Sequence, residues 1–284
     1  MDVWQGSVDQ IITLSTLPFF KCNIMITEKG IEEILSMLRK AGEVILHYYK
    51  NDEESLDTQL KTDNTPVTIA DTASNDIIYN FLKTSYPEIP IISEETEIDS
   101  YEIRSQWDYV WLIDPLDGTK EFLDKTDEFA INLALVGHGK SILGFIYLPV
   151  FKQMYYAAKD QGAFEIKNGI KSQISVSRFN LQQKGIKVVS SRSYMDINTS
   201  SYIDILDAPE MIKLGSSLKF VSIAKGESDY YPRMIHIMEW DTAAGQIIIE
   251  EAGGSLVDSQ TGLPLVYNKS TMVNPTFIAS GKII

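Results

Sequence analysis

Apolar side chains recur every three or four residues near the start of the chain, over residues 31–48, with charged residues mostly between them. This spacing predicts an amphipathic helix with Thr27 as its N-cap. A second helical pattern over residues 69–83 is expected to bury Ile77, Ile78, Phe81 and Leu82. Two more helices are predicted, near 216–225 and over 241–252, and Gly253-Gly254 fits a left-handed cap at the end of the last.

The middle of the chain has the pattern of a sheet. Apolar residues alternate with smaller ones, which is the period of a strand. Asn168-Gly169 and the turn at 160–162 are hairpin signals. Strands are predicted at 89–92, at 109–114 with Tyr109, Trp111 and Ile113 on one face, and at 129–135, 142–148, 153–158, 163–166, 186–190 and 229–231.

This order of elements predicts a layered α/β architecture without internal repeats. Residues 1–26 are interpreted as a peripheral extension and 51–65 as a polar loop. We expect an N-terminal α+β lobe over 27–150 that carries most of the metal ligands. A C-terminal α/β lobe over 151–284 is expected to carry substrate-binding residues and Asp241.

Charge narrows the functional classes. The 284 residues contain 25 Lys+Arg and 39 Asp+Glu, a net charge of −14, so the chain is expected to repel nucleic acid and anionic membranes. An anionic substrate would need cations to mask the carboxylates. The apolar stretch 11–20 is too short to span a bilayer and lacks a basic start, and the single Cys22 fits a reducing, cytoplasmic location.

The most informative segment runs from Trp111 to Phe122, WLIDPLDGTKEF. Its strand is expected to end at Asp114, with Asp117 three residues later on a turn. Two such carboxylates can face one point, and hard cations such as Mg²⁺ prefer oxygen ligands. Backbone amides at Gly118 and Thr119 would favour a phosphate oxygen. An ordinary surface turn rich in Asp, Pro and Gly is the alternative.

Three further acidic residues are candidates, each with a simpler alternative. Glu94 follows the strand at 89–92, where a Glu pair is usually solvated. Asp241 opens the last long helix, where it could act as an N-cap, a ligand or both. Asp71 lies near the start of the second helix, where compensation of the helix dipole competes with a catalytic role.

Together these segments resemble the inositol monophosphatase superfamily of Mg²⁺-dependent, lithium-sensitive phosphatases, from about Thr27 to the end of the chain. The resemblance implies an αβαβα sandwich and two or three Mg²⁺ ions. It implies metal ligation by Glu94, Asp114, Asp117, Asp241 and the carbonyl of Leu116. Asp71 and Thr119, with Glu94, would be catalytic, since the first two would orient and deprotonate a metal-bound water.

Within the superfamily, the segments at 118–122, 191–193, 215–219 and 231–233 resemble the 3'(2'),5'-bisphosphate nucleotidase branch. That resemblance implies a small phosphorylated nucleotide as substrate and a monomer or homodimer. Tyr194 stands where the branch commonly has His. Lys219 and Arg233 are candidates for binding the second phosphate, although either could be a surface charge. The full set of substrate-binding candidates is Gly118, Thr119, Lys120, Ser191, Ser216, Lys219, Arg233 and Asp241.

Other functions fit the sequence less well. An inositol or fructose bisphosphate phosphatase lacks the nucleotidase-like segments. A P-loop at Gly139-Lys140-Ser141 fails because position 134 is Ala. A non-catalytic metal or phosphate sensor would not need both Asp71 and Thr119. His47, His138 and His236 lack metal-ligand spacing, and no nucleophilic Ser or Cys motif is present.

Overall fold

The computed structural model describes residues 26–51, 59–60, 66–192 and 196–284. The predicted extension, apart from Ile26, lies outside the described residues, as do most of the predicted loop 51–65, Ser193 and Tyr194. The described helices are α1 (Glu28–Lys50), α2 (Ile69–Ser85), α3 (Tyr101–Arg104), α4 (Thr119–Leu123), α5 (Ile197–Ile203), α6 (Leu218–Ala224) and α7 (Glu239–Glu251).

Two large sheets dominate the strands. The larger has the order β3-β4-β5-β6-β7-β8-β9 and is antiparallel except for the parallel pair β3–β4, and its members are β3 (Ile91–Ser93), β4 (Tyr109–Asp117), β5 (Ala130–Gly137), β6 (Lys140–Leu148), β7 (Gln153–Ala158), β8 (Gly162–Lys167) and β9 (Ile170–Ile174). It continues across the predicted lobe boundary at residue 150, and the division into two lobes stays a prediction.

The second sheet has the order β12-β11-β13-β15-β14 and combines parallel and antiparallel pairs. Its strands are β11 (Lys187–Ser191), β12 (Glu210–Leu214), β13 (Tyr230–Arg233), β14 (Ser255–Asp258) and β15 (Phe277–Ser280). Two short pairs complete the described strands: β1 (Gln59–Leu60) with β2 (Pro66–Val67), and β10 (Arg178–Phe179) with β16 (Lys282–Ile283).

Successive side chains of β4 point to opposite faces of the large sheet, so this strand contributes to two hydrophobic cores. Tyr109, Trp111 and Ile113 point into the core beneath α1 and α2, as predicted. The intervening Val110 and Leu112 point into a second core with α7. Because α7 contacts both large sheets and α5 covers the far side of the second sheet, the layers run α1/α2, sheet, α6/α7, sheet, α5. The predicted αβαβα sandwich is therefore confirmed.

Several local predictions need correction. Strand β4 does not end at Asp114 but continues through an irregularity to Asp117. Ile77 and Phe81 are only partly buried, because they lie at the margin of the α2 interface, while Ile78 and Leu82 are fully buried. The sequence also missed α3, α4 and α5, which are too short to show an amphipathic period.

Other local predictions hold. Thr27 caps α1 through its side chain, and Gly253 follows α7 with a φ of 95°. Asn168 and Gly169 both have positive φ in the turn between β8 and β9, as a two-residue hairpin requires. Of the helices in the described ranges, none is both long and apolar enough to cross a membrane.

A close approach between β6 and α7 gives a test of this packing. A Cβ atom at Gly144 would lie 2.5 Å from Ile247 Cγ2 and 2.9 Å from the backbone of Ala244. We expect Gly144→Ala to lower the free energy of unfolding by about 1–3 kcal/mol, because α7 must move outward. Ser172→Thr, which adds a methyl group on the exposed strand β9, is the control, with an expected change within about 0.5 kcal/mol in urea unfolding. Equal stabilities of the two variants would contradict this account of the contact.

Candidate active site

Three acidic side chains from different elements meet at one end of the large sheet. Glu94 follows β3 directly, and its backbone N–H donates to the carbonyl of Ile113 on β4 at 3.1 Å. Asp114 lies on β4, and Asp241 lies in the first turn of α7. One carboxylate oxygen from each of these three residues lies within 4.8 Å of the others. The structure thus brings together three of the four predicted acidic ligands in one compact cluster.

The fourth acidic residue, Asp117, is held by hydroxyl groups from another part of the chain. Its Oδ2 accepts hydrogen bonds from the hydroxyls of Ser216 and Ser217, both at 2.6 Å. Asn132 Nδ2 on the neighbouring strand donates to the same oxygen at 3.3 Å. This oxygen is therefore fixed by three donors, which sets the orientation of the carboxylate.

The backbone around Asp114 is held by the Asp114 carboxylate itself. Asp114 Oδ1 accepts from the N–H of Leu116 at 3.1 Å, which folds the strand irregularity back onto the carboxylate. The Leu116 carbonyl oxygen lies 3.3 Å from Thr119 Oγ1, whose single proton is equally within reach of Asp71 Oδ1. Asp114 is 2% exposed, so the alternative of an ordinary surface turn at this segment is wrong.

Asp241 is not an N-cap, because α7 begins two residues earlier than the sequence indicates. Met238 is the N-cap, and Asp241 Oδ2 accepts from its N–H at 2.7 Å as the third residue of the helix. Glu239, which is fully buried, accepts from the N–H groups of Asn268 and Lys269 and pairs with the Lys269 ammonium group. These contacts fix the first turn of α7 and hence the position of Asp241.

Asp71 and Thr119 form the predicted pair. Thr119 Oγ1 donates to Asp71 Oδ1 at 3.3 Å, while Asp71 Oδ2 accepts from the N–H and the hydroxyl of Thr68 at 2.8 and 2.6 Å. Burial raises the pKa of the Asp71 carboxyl to about 6, against the opposing hydrogen bonds from Thr68. Asp71 therefore stabilises the start of α2 and also contacts the site.

The electrostatics of the cluster fit a bound cation. Removal from water raises the pKa of the Asp114 carboxyl well above its usual range, and the charges of Glu94 and Asp117 raise it further. The pKa of Asp241 is raised by the same causes, with Asp117 the larger neighbouring charge. A bound cation would reverse this penalty, and an all-oxygen set of carboxylates suits a hard divalent ion.

A cavity of about 260 Å³ opens beside the cluster. It brings together seven of the eight predicted substrate-binding residues, since Thr119 is absent from its lining: Gly118, Lys120, Ser191, Ser216, Lys219, Arg233 and Asp241. A larger groove of about 670 Å³ lies between α1 and the strands β6–β8, and it contains none of the predicted site residues.

Lys219 is not a surface charge. It is 8% exposed, its ammonium group donates to the Ser216 carbonyl at 2.6 Å, and burial lowers its pKa to about 8 even though Asp117 favours the charged form. The Nε of Arg233 is buried with no hydrogen-bond partner in the described structure. Lys219 and Arg233, together with Lys120, thus border the cavity next to an acidic cluster.

Sequence reasoning missed several residues of this site. Ser217, Asn132 and Thr68 orient the acidic residues, and Phe220 and Tyr231 line the cavity. Ser217 could have been noticed as a neighbour of Ser216 in the segment Gly215–Lys219. Asn132 gave no signal, because one polar residue in a buried strand does not reveal its partner.

Comparison with known proteins agrees with this geometry. The family model described as "Inositol monophosphatase family" matches residues 28–283. The 3'(2'),5'-bisphosphate nucleotidase CysQ of Escherichia coli strain K12 is 39% identical over 251 residues, 88% of this chain and 99% of that protein. The protein of the same name from Buchnera aphidicola is 41% identical over 268 residues, 94% of this chain and 98% of that protein.

A solved structure gives the same result. The crystal structure of CysQ from Bacteroides thetaiotaomicron, described as a bacterial member of the inositol monophosphatase family, superposes with a TM-score of 0.79 at 33% identity. The alignment covers 89% of this chain and 97% of that one. Since the family model and these relatives all extend over nearly the whole described chain, the protein belongs to the inositol monophosphatase family.

Proposed function

We propose that this protein is a Mg²⁺-dependent phosphatase that removes the 3'(2')-phosphate of adenosine 3'(2'),5'-bisphosphate to give AMP. The observation that carries the proposal is one cavity bordered by both a carboxylate cluster and the cations Lys219 and Arg233. The nucleotidase names of the relatives at 39–41% identity support the same substrate class. One cysteine in 284 residues supports a reducing compartment such as the cytoplasm.

Mg²⁺ would be held by the carboxylates of Glu94, Asp114, Asp117 and Asp241 and by the carbonyl oxygen of Leu116. When bound, it neutralises the substrate phosphate and lowers the pKa of a water molecule. The Thr119 hydroxyl would orient this water molecule. This group donates its proton toward Asp71 Oδ1 and so leaves its lone pairs free to accept a hydrogen bond from water.

Asp71 would be the final proton acceptor. Its pKa near 6 leaves it ionised at neutral pH but basic enough to take a proton, which is the range that general bases need. Thr68 holds the other carboxylate oxygen, so Oδ1 faces Thr119 in a fixed direction. The pair would therefore orient the water molecule and accept its proton, and neither residue would be a metal ligand.

Lys219 and Arg233 would bind the second phosphate of the nucleotide. A phosphate at a distance from the acidic cluster needs its own cationic partners. Arg offers a planar fork of donors and Lys a point charge. The buried Nε of Arg233 and the lowered pKa of Lys219 are both features that an anionic ligand would correct.

The metal ligands can be tested by Asp114→Asn and Asp241→Asn. Each change removes one ligand charge, so we expect turnover of adenosine 3',5'-bisphosphate to fall by roughly 10²–10³-fold. A Mg²⁺ titration should show a raised half-saturating concentration. Asp76→Asn, at an exposed position of α2, is the control and should behave as the unmodified protein does. Near-normal rates at low Mg²⁺ for both test variants, or full activity in excess chelator, would refute the metal assignment.

The role of Thr119 can be separated from metal binding by Thr119→Ala and Thr119→Ser. Loss of the hydroxyl should lower kcat by roughly 10²–10⁴-fold while the half-saturating Mg²⁺ concentration stays nearly constant. Thr119→Ser keeps the hydroxyl and should recover most of the rate. A loss of metal affinity with normal kcat at saturating Mg²⁺ would show that Thr119 acts on the metal instead.

Substrate specificity can be tested by Lys219→Met and Arg233→Met. A hydrogen bond to a charged group is worth about 1.5–3 kcal/mol, so each change should raise KM for adenosine 3',5'-bisphosphate about ten- to a hundredfold. Adenosine 3'-monophosphate, which lacks the 5'-phosphate, should be affected much less. Lys187→Met on the exposed part of β11 is the control. Equal losses on both substrates would contradict the assignment to the second phosphate.

A further inference from the structure

A salt bridge outside the cavity connects the segment before β5 with the ends of β11 and β12. Glu128, just before β5, receives two parallel hydrogen bonds from Arg192, from Nε at 2.7 Å and from an Nη at 2.6 Å. The same carboxylate accepts from the N–H of Gly215 at 2.7 Å. Neither Glu128 nor Arg192 lines the cavity, and the Glu128 side chain is 12% exposed.

Arg192 also binds the end of β12 through two backbone carbonyls. Its N–H donates to the Leu214 carbonyl at 3.2 Å, and its guanidinium donates to the Lys213 carbonyl at 3.1 Å. Arg192 follows Ser191, the last residue of β11, while Leu214 is the last residue of β12. The Glu128–Arg192 pair therefore fastens the ends of two neighbouring strands to the segment before β5.

The turn after β12, Gly215–Ser217, has a tightly packed and unfavourable backbone conformation. A Cβ atom at Gly215 would lie 2.6 Å from Glu121 Cγ and 3.1 Å from Glu128 Cβ. Ser216 has a φ of 49°, in the left-handed region that non-glycine residues rarely adopt. A conformation of this kind persists only where the surrounding contacts impose it, and the Glu128 carboxylate supplies one such contact at Gly215.

This turn performs two tasks at the site. Its hydroxyls at Ser216 and Ser217 hold Asp117 Oδ2, and its carbonyl at Ser216 accepts from the ammonium group of Lys219. A shift of the turn would therefore misorient a candidate metal ligand and a candidate phosphate-binding cation together. Mutation of an outer group that orients a metal ligand typically lowers metal affinity about ten- to a hundredfold.

We propose that Glu128 and Arg192 are positioning residues that set the Gly215–Ser217 turn, and through it both metal binding at Asp117 and substrate binding at Lys219. The part concerning substrate rests on the proposed function, whereas the part concerning metal does not. The bidentate geometry suits this task, because two parallel hydrogen bonds fix direction as well as distance.

The experiment uses the full chain and the variants Glu128→Gln, Arg192→Met, Arg192→Lys and Glu128→Gln/Arg192→Met. Glu251→Gln is the matched control, because the Glu251 carboxylate also holds a turn, through the N–H groups of Asp160 and Gly162, but contacts no site residue. Mn²⁺ binding without substrate is followed by electron paramagnetic resonance. KM for adenosine 3',5'-bisphosphate and for adenosine 3'-monophosphate, and the melting temperature, are measured alongside.

We expect Glu128→Gln and Arg192→Met each to weaken Mn²⁺ binding and to raise KM for the bisphosphate about tenfold. The double variant should be no worse than either single one, because both act through one contact. Arg192→Lys, which keeps the charge but loses the fork, should be intermediate, and the rise in KM should be smaller for the monophosphate.

Two outcomes separate this proposal from the others. If Mn²⁺ affinity and KM of the test variants match those of Glu251→Gln, whatever happens to the melting temperature, the positioning role is refuted. If the unmodified protein fails to hydrolyse the bisphosphate but Mn²⁺ binding still weakens as expected, the proposed function fails and the positioning of Asp117 stands.

Discussion

The mutual repulsion of carboxylates at one point is the constraint on which this structure depends. Glu94, Asp114 and Asp241 come together with Asp114 buried, and the charge of Glu94 raises the pKa of both aspartates. Rigid surroundings are needed to hold such a group in place, and a bound cation would remove the repulsion between its charges. The layered fold supplies the rigidity, because the edge strand β3 is hydrogen-bonded to β4 and α7 is packed between two sheets.

A second constraint follows from the negative net charge of the chain. A protein with a net charge of −14 that binds a nucleotide bisphosphate must place its few useful cations with care. Lys219 and Arg233 come from α6 and β13, which belong to the second sheet and its covering helix, whereas Asp114 and Asp117 come from the first sheet. The cavity therefore lies between the end of β4, which supplies Asp117, and α6 and β13, which supply Lys219 and Arg233.

The sequence predicted the parts of the site that depend on short segments. The Asp114–Thr119 run, Glu94, Asp71 and Asp241 could be identified because their segments together resemble a known family, whereas each residue alone also had a simpler interpretation. The sequence could not show that Lys219 is buried, because that depends on α6 packing between layers. Nor could it pair Glu128 with Arg192, since they are 64 residues apart and only the meeting of β11 and β12 with the segment before β5 joins them.

The same limit explains the errors at Asp241 and Asp117. The sequence favours Asp241 as an N-cap because an Asp before apolar residues is typical of that position, yet α7 begins at Glu239 and Asp241 occupies the third position. The sequence also predicts that β4 ends at Asp114, because Pro115 and Gly118 suggest a turn. In the fold, pairing with β5 resumes at Asp117 after an irregularity, which brings both carboxylates to the same end of the sheet.

Each aspartate of the site is anchored by hydrogen bonds to one of its two carboxylate oxygens. Asp71 and Asp241 each occupy the third position of a helix and use Oδ2 to accept a backbone N–H from the N-cap residue. Asp117 likewise uses Oδ2 for its serine donors, and Asp114 uses Oδ1 for the N–H of Leu116. In each case the anchor needs only one carboxylate oxygen. The second oxygen can then serve the site while the anchor is kept, so that helix capping and the strand irregularity become part of the candidate active site.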